Sequence, residues 1–335
     1  MFAYIVRRIL WTFPIVLGVM LITFVLFRYI APDPAVRWAG KFKSEAQLAA
    51  IRHEAGTDIP KWINSADASA GWHSESGIVS RSGAAVAGLL NSQFVRILTF
   101  RFPISLKYHE SVWRLFGRAA PVSLAIQLPA FIVELALQLL LALFVAANRG
   151  KGADYSVTFG AVLGMSVPSL SIYMAAQWLF GAKLRWFPIA GWSVWPNWIA
   201  FAVLPIIVTV IGGIGGGTRF YRTIILEEIN ADYVRTARAK GVPRWNVLLT
   251  HVMRNVMIPV VTNTVTALPG LFLGALLLEN LFQIPGLGGA LFDAVHNEDS
   301  SIVMSLVYIS SVAYCIMLLI NDILYTLVDP RVRLQ

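Results

Sequence analysis

Six stretches of this chain run long enough with little or no charge to cross a membrane, which constrains its fold more than any motif it carries. A helix needs roughly 20 residues to traverse about 30 Å of hydrocarbon. Residues 9–27 are uncharged throughout and 119–147 are interrupted only by Glu134; 155–182, the later part of 186–218, 255–278 and 300–321 complete the set. Composition agrees, since 57% of the 335 residues are hydrophobic and 13% are charged, against about 25% charged in an ordinary soluble domain. The expectation is an all-α integral membrane protein with six transmembrane helices. Arg7 and Arg8 ahead of the first run also suit a secretory signal peptide. That run of 19 residues exceeds the usual signal core of about 7–15, and no clean A-x-A cleavage site follows, so the sequence favours an uncleaved anchor.

A net charge of +9 would point to nucleic acid in a soluble chain, but in a membrane protein excess Lys and Arg first report topology. Short loops rich in Lys and Arg stay in the cytoplasm. Arg7 and Arg8, Arg149 and Lys151, seven basic residues in 218–254, and Arg331 and Arg333 all fall on one side of a six-span count. The opposite side has Lys183 and Arg185, and no Lys or Arg in 279–299. Residues 33–118 are basic too, yet a loop that long translocates regardless of its charge. Both termini are therefore expected in the cytoplasm. Within 33–118, the low-complexity NSADASAGWHSESG reads as a flexible external loop, and residues 111–118 as a short amphipathic helix along the interface. Trp186, Trp192, Trp195 and Trp198 read as anchors at the outer interface.

The basic stretch YVRTARAKGVPRWNVLL at 233–249 lies between two spans on the cytoplasmic side. Glu227 and Glu228 stand near the start of a helical pattern and Arg235, Arg238 and Lys240 near its end, as the helix dipole favours. Gly241 suits a left-handed stop, and Val242-Pro243 opens a second short helix. Tyr233, Ala237 and Gly241 recur every four residues, which gives one face for close approach, with Arg235 and Arg238 beside it. No nucleic acid is expected, because a recognition helix must be free to enter a groove and this element is tethered at both ends. Membrane lipid is a second candidate. A protein partner fits best, since lipid binding requires neither the glycine nor the proline break.

These residues, with the following VPRWNVLLTHVMRNVMIPV, resemble the cytoplasmic coupling loop of inner-membrane permease subunits of ABC importers of the oligopeptide, dipeptide and nickel type. Three further patches agree in order and spacing: the N-terminal RRIL with its downstream I-T-F and A-P, LLLENLFQIPGLG at 276–288, and DILYTLVDPRV at 322–332. The resemblance covers residues 1–32 and 119–335. It implies a type I ABC importer permease architecture with a cytoplasmic coupling helix. By position, the general motif's glutamate falls on Arg235, its two alanines on Thr236 and Ala237, and its glycine on Gly241. The ATPase-coupling set it implies is Tyr233, Arg235, Thr236, Ala237, Arg238, Lys240, Gly241, Val242 and Pro243. The motif's downstream I-x-L-P falls on His251, Val252, Met253 and Arg254, and the usual G-D-x-G-x-S before the second span is absent.

The implied organisation is an N-terminal anchor over 1–32, a long external loop over 33–118, and a five-helix permease core over 119–335 whose coupling loop spans 218–254. The implied partners are a second homologous permease subunit, two cytoplasmic ABC ATPase subunits and an external substrate-binding protein, in the bacterial inner membrane. This chain is expected to bind no cofactor and to be no enzyme, with ATP and Mg²⁺ held by the ATPase subunits. IGGIGGGTRF at 211–220 lacks the Gly-Lys-Ser/Thr of a nucleotide loop and reads instead as a place where a span packs closely on a neighbour. The five histidines show no pair at metal-ligand spacing, and Cys315 is the one cysteine, so no metal site is expected.

Glu134 is ionisable near the middle of a span, and Gln127 and Gln138 share its helix face. Two readings stand side by side: a polar stripe along the translocation path, or a hydrogen-bonded brace to the partner subunit. Glu279, at the outer end of the fifth span beside Pro285 and Gly286, is a candidate external gate. Peptides are the cargo the resemblance implies, with nickel chelates or another small solute as the alternative. An ion-coupled secondary carrier with Glu134 as coupling acid is the rival of a different class.

Overall fold

A computed structural model describes residues 2–30, 44–54, 57–65, 67, 69, 86–88, 90–105, 109–193, 196–272 and 274–328. The chain is helical, and the described residues form no strand. The helices are α1 (Phe2–Val25, prolonged by a π-helical turn Leu26–Ile30), α2 (Glu45–Glu54), α3 (Gln93–Leu98), α4 (Val112–Ala147), α5 (Gly152–Ser166) and α6 (Ser169–Ala176, continuing as the π-helical Gln177–Lys183). After these come α7 (Trp198–Ile229), α8 (Asp232–Ala239), α9 (Arg244–Asn246) and, beyond a π-helical turn at Val247–Val252, α10 (Met253–Phe272). The last three are α11 (Leu276–Leu281), α12 (Leu287–His296) and α13 (Ser300–Val328). Helices are what hydrocarbon permits, because they satisfy every backbone donor and acceptor within the segment.

Among the described residues, four helical stretches are long and apolar enough to cross a membrane: Leu10–Ile30, Val112–Ala147, Trp198–Ile229 and Ser300–Ile320. A fifth is counted if α5 and α6 form one span bent by 94°. The span expected over 155–182 is thus made of two helices. Pro168 is the cause: the residue before a proline is driven out of the helical region, and Val167 is extended at φ −89°, ψ 125°. The expected fifth span over 255–278 also divides, into α10 and α11, with Gly274 left-handed between them at φ +68°. α10 carries Asn255, Thr262, Asn263, Thr264 and Thr266, and it is not among the stretches that pass on length and apolarity.

Two more expectations change. Residues 112–118 are no separate interfacial helix but the opening turns of α4. Glu227 and Glu228 do not begin the helix of 233–240; they end α7, and the acid in the first turn of α8 is Asp232. Most of NSADASAGWHSESG, Trp195, and the C-terminal Arg331 and Arg333 lie outside the described residues.

Two compact units make up the chain, one of Met1–Arg7, Ala120–Gly289 and Ile316–Gln335, the other of Arg8–Ala119 and Ala290–Cys315. The first holds two apolar clusters. Ala142, Leu143 and Ala146 of α4 meet Tyr221 and Ile225 of α7, Val234 and Ala237 of α8, Val247 and Leu248, and Val256 and Val260 of α10. The other cluster joins Ile126 of α4, Ala176 of α6, Leu204 and Val208 of α7, and Leu278 and Phe282. Trp192 and Trp198 pack half-buried on that second cluster, whereas Trp186 is 66% exposed. In the other unit, Met20 and Phe24 of α1 pack with Ile97, Met304 and Tyr308, and the Tyr308 hydroxyl donates to the Met20 carbonyl. Buried Asp299 starts α13, accepting from Ile302 N (3.3 Å) as an N-cap and from Ser105 Oγ (2.8 Å).

Candidate functional site

Three arrangements in the first unit gather the residues singled out by sequence. At the first, α8 is a two-turn helix that stops at Gly241, where φ is +79°. Gly241 N donates to Arg238 O (2.9 Å) and Val242 N to Ala237 O (3.3 Å), the pair of bonds that defines a Schellman stop. Pro243, extended at φ −55° and ψ 144°, then begins α9. Val234 and Ala237 are buried in the cluster shared with α4, α7 and α10. Tyr233 is half-buried, and its hydroxyl donates to Glu228. Burial first, and then the Glu228 carboxylate, push the Tyr233 phenol above its ordinary value, so it acts as a neutral donor.

The outward face of α8 is therefore not the expected Tyr233, Ala237 and Gly241 stripe. Arg235, Thr236, Arg238 and Lys240 are exposed, with Gly241 and Pro243 beside them, while Tyr233, Ala237 and Val242 turn inward. Arg235 Nη1 lies 3.4 Å from Asp232 Oδ1, an exposed contact of little energetic weight. Two arginines tie this end of the unit together. The Arg244 guanidinium donates to Ala147 O at the end of α4. Arg222 of α7 makes a fork to buried Asp154 of α5, Nε to Oδ1 and Nη2 to Oδ2, both at 3.0 Å.

The second arrangement lies where α4 crosses α7. Gln138 Nε2 donates to Glu134 Oε1 (2.7 Å) and to Gly213 O (3.1 Å). A Cβ on Gly213 would overlap the Glu134 carboxyl, and one on Gly217 the Gln138 amide. Gly215, on another face of α7, lies where a Cβ would come 2.7 Å from Ala161 O of α5. The glycine run thus serves close packing, as its sequence indicated. Gln127 does not join this group: its Nε2 is buried without a hydrogen-bond partner among the described residues. Within the chain, Gln138 braces α4 to α7.

The third arrangement surrounds Glu279, which is 1% exposed. Its Oε1 accepts from Ser123 Oγ (2.7 Å) and Ala275 N (3.2 Å), and its Oε2 from Gly289 N (2.9 Å). Ser123 Oγ in turn accepts from Leu287 N (2.8 Å). The segment around Pro285 folds over the carboxylate so tightly that a Cβ on Gly286 would overlap Glu279 Oε2, and one on Gly274 would lie 2.6 Å from Oε1. Sequence reasoning found Glu279, Pro285 and Gly286 but missed Ser123 and Gly274, and no local signal marks a serine whose partner is 156 residues away.

Residues 138–334 match the model of the binding-protein-dependent transport system inner membrane component, and residues 1–73 match its N-terminal counterpart. A protein of Brucella abortus (strain 2308), named for a peptide transport system permease, is 30% identical over 337 residues, covering 99% of each chain. The oligopeptide transport system permease protein AppB of Bacillus subtilis (strain 168) is 28% identical over 99% of this chain and 100% of its own. The dipeptide transport system permease protein DppB of the same organism is 31% identical over 71% of this chain and 77% of its own.

Proposed function

This chain belongs to the family of binding-protein-dependent transport system inner membrane components, and on that premise we propose that it is a permease subunit of an ATP-driven peptide importer. In this reading it has type I architecture and six spans, the fifth along the chain being α10 together with the break that follows it. Both termini are cytoplasmic. It pairs with a second homologous permease, two cytoplasmic ABC ATPases that hold ATP and Mg²⁺, and an external binding protein, and it moves peptide inward by alternating access. Peptide is the cargo because the relatives similar along their whole length are named for peptide transport.

The observation that carries the proposal is the division of α8 into two faces. Outward, Arg235, Thr236, Arg238 and Lys240 present a cationic surface to an ATPase cleft. Inward, Val234 and Ala237 belong to the same buried cluster as α4, α7 and α10. Packed interiors deform little, so a displacement imposed on the outer face passes to three long helices through this cluster. Glu279, Pro285 and Gly286 shape the external gate, and Glu134 with Gln138 sets the α4–α7 distance rather than coupling an ion.

The test is ATP hydrolysis by the purified complex reconstituted with peptide-loaded binding protein. Arg235→Gln with Arg238→Gln should reduce stimulation at least about tenfold, taking two charge-assisted contacts at roughly 1 kcal/mol or more each. Subunit abundance should stay normal. Peptide uptake by this chain alone in proteoliposomes, with no ATPase subunit, would overturn the proposal in favour of a carrier.

A further inference from the structure

A cavity of about 310 Å³ in the unit of Arg8–Ala119 and Ala290–Cys315 is lined, among the described residues, by three arginines, Arg28, Arg96 and Arg101, together with Gln93 and with Asn91, whose Nδ2 donates to Asp67 Oδ2 (2.7 Å). Gln93 is 3% exposed, and both hydrogens of its amide are committed, since Nε2 donates to Ile59 O (2.6 Å) and Thr57 O (3.3 Å). That fixes the amide orientation and leaves Gln93 Oε1 as a buried acceptor without a partner among the described residues. Buried acceptors are normally satisfied. The group that satisfies this one must donate a hydrogen bond, and the guanidinium groups beside it select an anion. An anion with a hydroxyl on a short stem meets both demands.

The surroundings identify where such a molecule comes from. Arg28 lies in the turn that ends the apolar stretch Leu10–Ile30, whose Leu26 and Ile30 are 47% and 73% exposed. Beside it, Trp62 Nε1 donates to the Tyr29 hydroxyl (2.6 Å) and the Lys61 ammonium sits 3.9 Å over the Tyr29 ring. Aromatic and basic side chains gathered at the end of an apolar helix mark the level of the lipid headgroups. Asn91, Arg96 and Arg101 also line a second, adjoining cavity of about 490 Å³, walled in part by Ala87, Leu90 and Val95. A charged chamber that shares a wall with a partly apolar one suits an amphiphile better than a free anion.

We propose that these paired cavities are a binding site for an anionic glycerophospholipid, with the phosphate between Arg96 and Arg101, a headgroup hydroxyl donating to Gln93 Oε1, and the start of an acyl chain along Leu90 and Val95. The site lies apart from the coupling element, and it stands whether or not the transport reading does.

The experiment is native mass spectrometry of the full chain, purified with its accompanying subunits in mild detergent. It is titrated with phosphatidylglycerol, with phosphatidylcholine of matched chains, and with sn-glycerol 3-phosphate. Phosphatidylglycerol should bind about tenfold more tightly than phosphatidylcholine, and Arg96→Gln with Arg101→Gln should abolish the preference. Arg114→Gln, an exposed arginine of the same unit that lines neither cavity, should leave it intact. Equal retention of both lipids by the wild-type chain, or an undiminished preference in the double variant, overturns the site. Glycerol 3-phosphate competing as well as the lipid at equal concentration overturns the lipid assignment in favour of a soluble phosphate ester. Should the double variant aggregate, a photoactivatable phosphatidylglycerol on the wild-type chain decides. Label in residues 87–101 supports the site, and label elsewhere overturns it.

Discussion

Glu279 is held, among the described residues, by hydrogen-bond donors: Ser123 Oγ, Ala275 N and Gly289 N. A buried carboxylate can persist on such donors because each is a charge-assisted bond. Ser123 has two duties, donating to Glu279 and accepting from Leu287 N. Ser123→Ala should therefore leave one buried N–H and one carboxylate lobe without partners, at a cost of about 1–3 kcal/mol. Thermal denaturation of the detergent-solubilised protein should show it as a lower midpoint, with Ser123→Thr milder than Ser123→Ala. An unchanged midpoint for Ser123→Ala would show that the cradle is not under this tension. Gly241 poses a different residue-scale problem, because a Cβ there meets nothing within 4 Å. Only its φ of +79° resists substitution. Gly241→Val should cost about 1–2 kcal/mol of local backbone strain, while Gly241→Asn, which tolerates left-handed backbone, should cost less. Peptide-stimulated ATP hydrolysis should fall for the valine variant and hold for the asparagine variant; full stimulation by Gly241→Val would remove the stop from the coupling device.

Among elements, α7 tests most sharply what its glycines do. Gly213 and Gly217 face Glu134 and Gln138 of α4, and Gly215 faces Ala161 of α5, whereas Gly212 and Gly216 face open space. Gly215→Ala, which meets the Ala161 backbone, should push α5 off and lower the yield of folded protein, and Gly213→Ala should act more mildly because only the end of the Glu134 side chain has to move, while Gly212→Ala and Gly216→Ala should match wild type or exceed it through helix propensity. Monodispersity in size-exclusion chromatography reads the difference, and equal behaviour of the four variants would contradict the packing. This much was legible in sequence, because a glycine run inside a span has few uses besides close approach. The Gly241 stop and the first turn at Pro243 were legible for a similar reason, since each rests on one residue's backbone limits. The inward face of α8 was not. Spacing of four marks Tyr233, Ala237 and Gly241 as one face but carries no sign for inside or outside, and Val234 settles the matter only through its contacts with α4 and α7. Pro168 did carry its signal, the exclusion of its predecessor from the helix, yet the uncharged run on both sides reads as a single span when length alone is counted.

At the scale of the whole molecule, the coupling proposal stands or falls with orientation, because α8 can meet an ATPase only from the cytoplasm. Arg149 and Lys151 between α4 and α5, and the seven basic residues of 218–254, argue for that side. The region between α1 and α4 must then face the opposite compartment. Cys315 is the one cysteine in the chain and is buried, so Cys315→Ser gives a background without a competing thiol. Ser65 and Lys240 are both exposed, and a cysteine at either is open to reagent on its own side of the membrane. In right-side-out vesicles a membrane-impermeant maleimide should label Ser65→Cys at once and Lys240→Cys only after permeabilisation. Inverted vesicles should exchange the two results, which guards against a site that is merely unreactive. If Lys240→Cys were labelled from outside in sealed right-side-out vesicles, the cationic face of α8 would be turned away from any source of ATP, and no ATPase could drive α4, α7 and α10 through it.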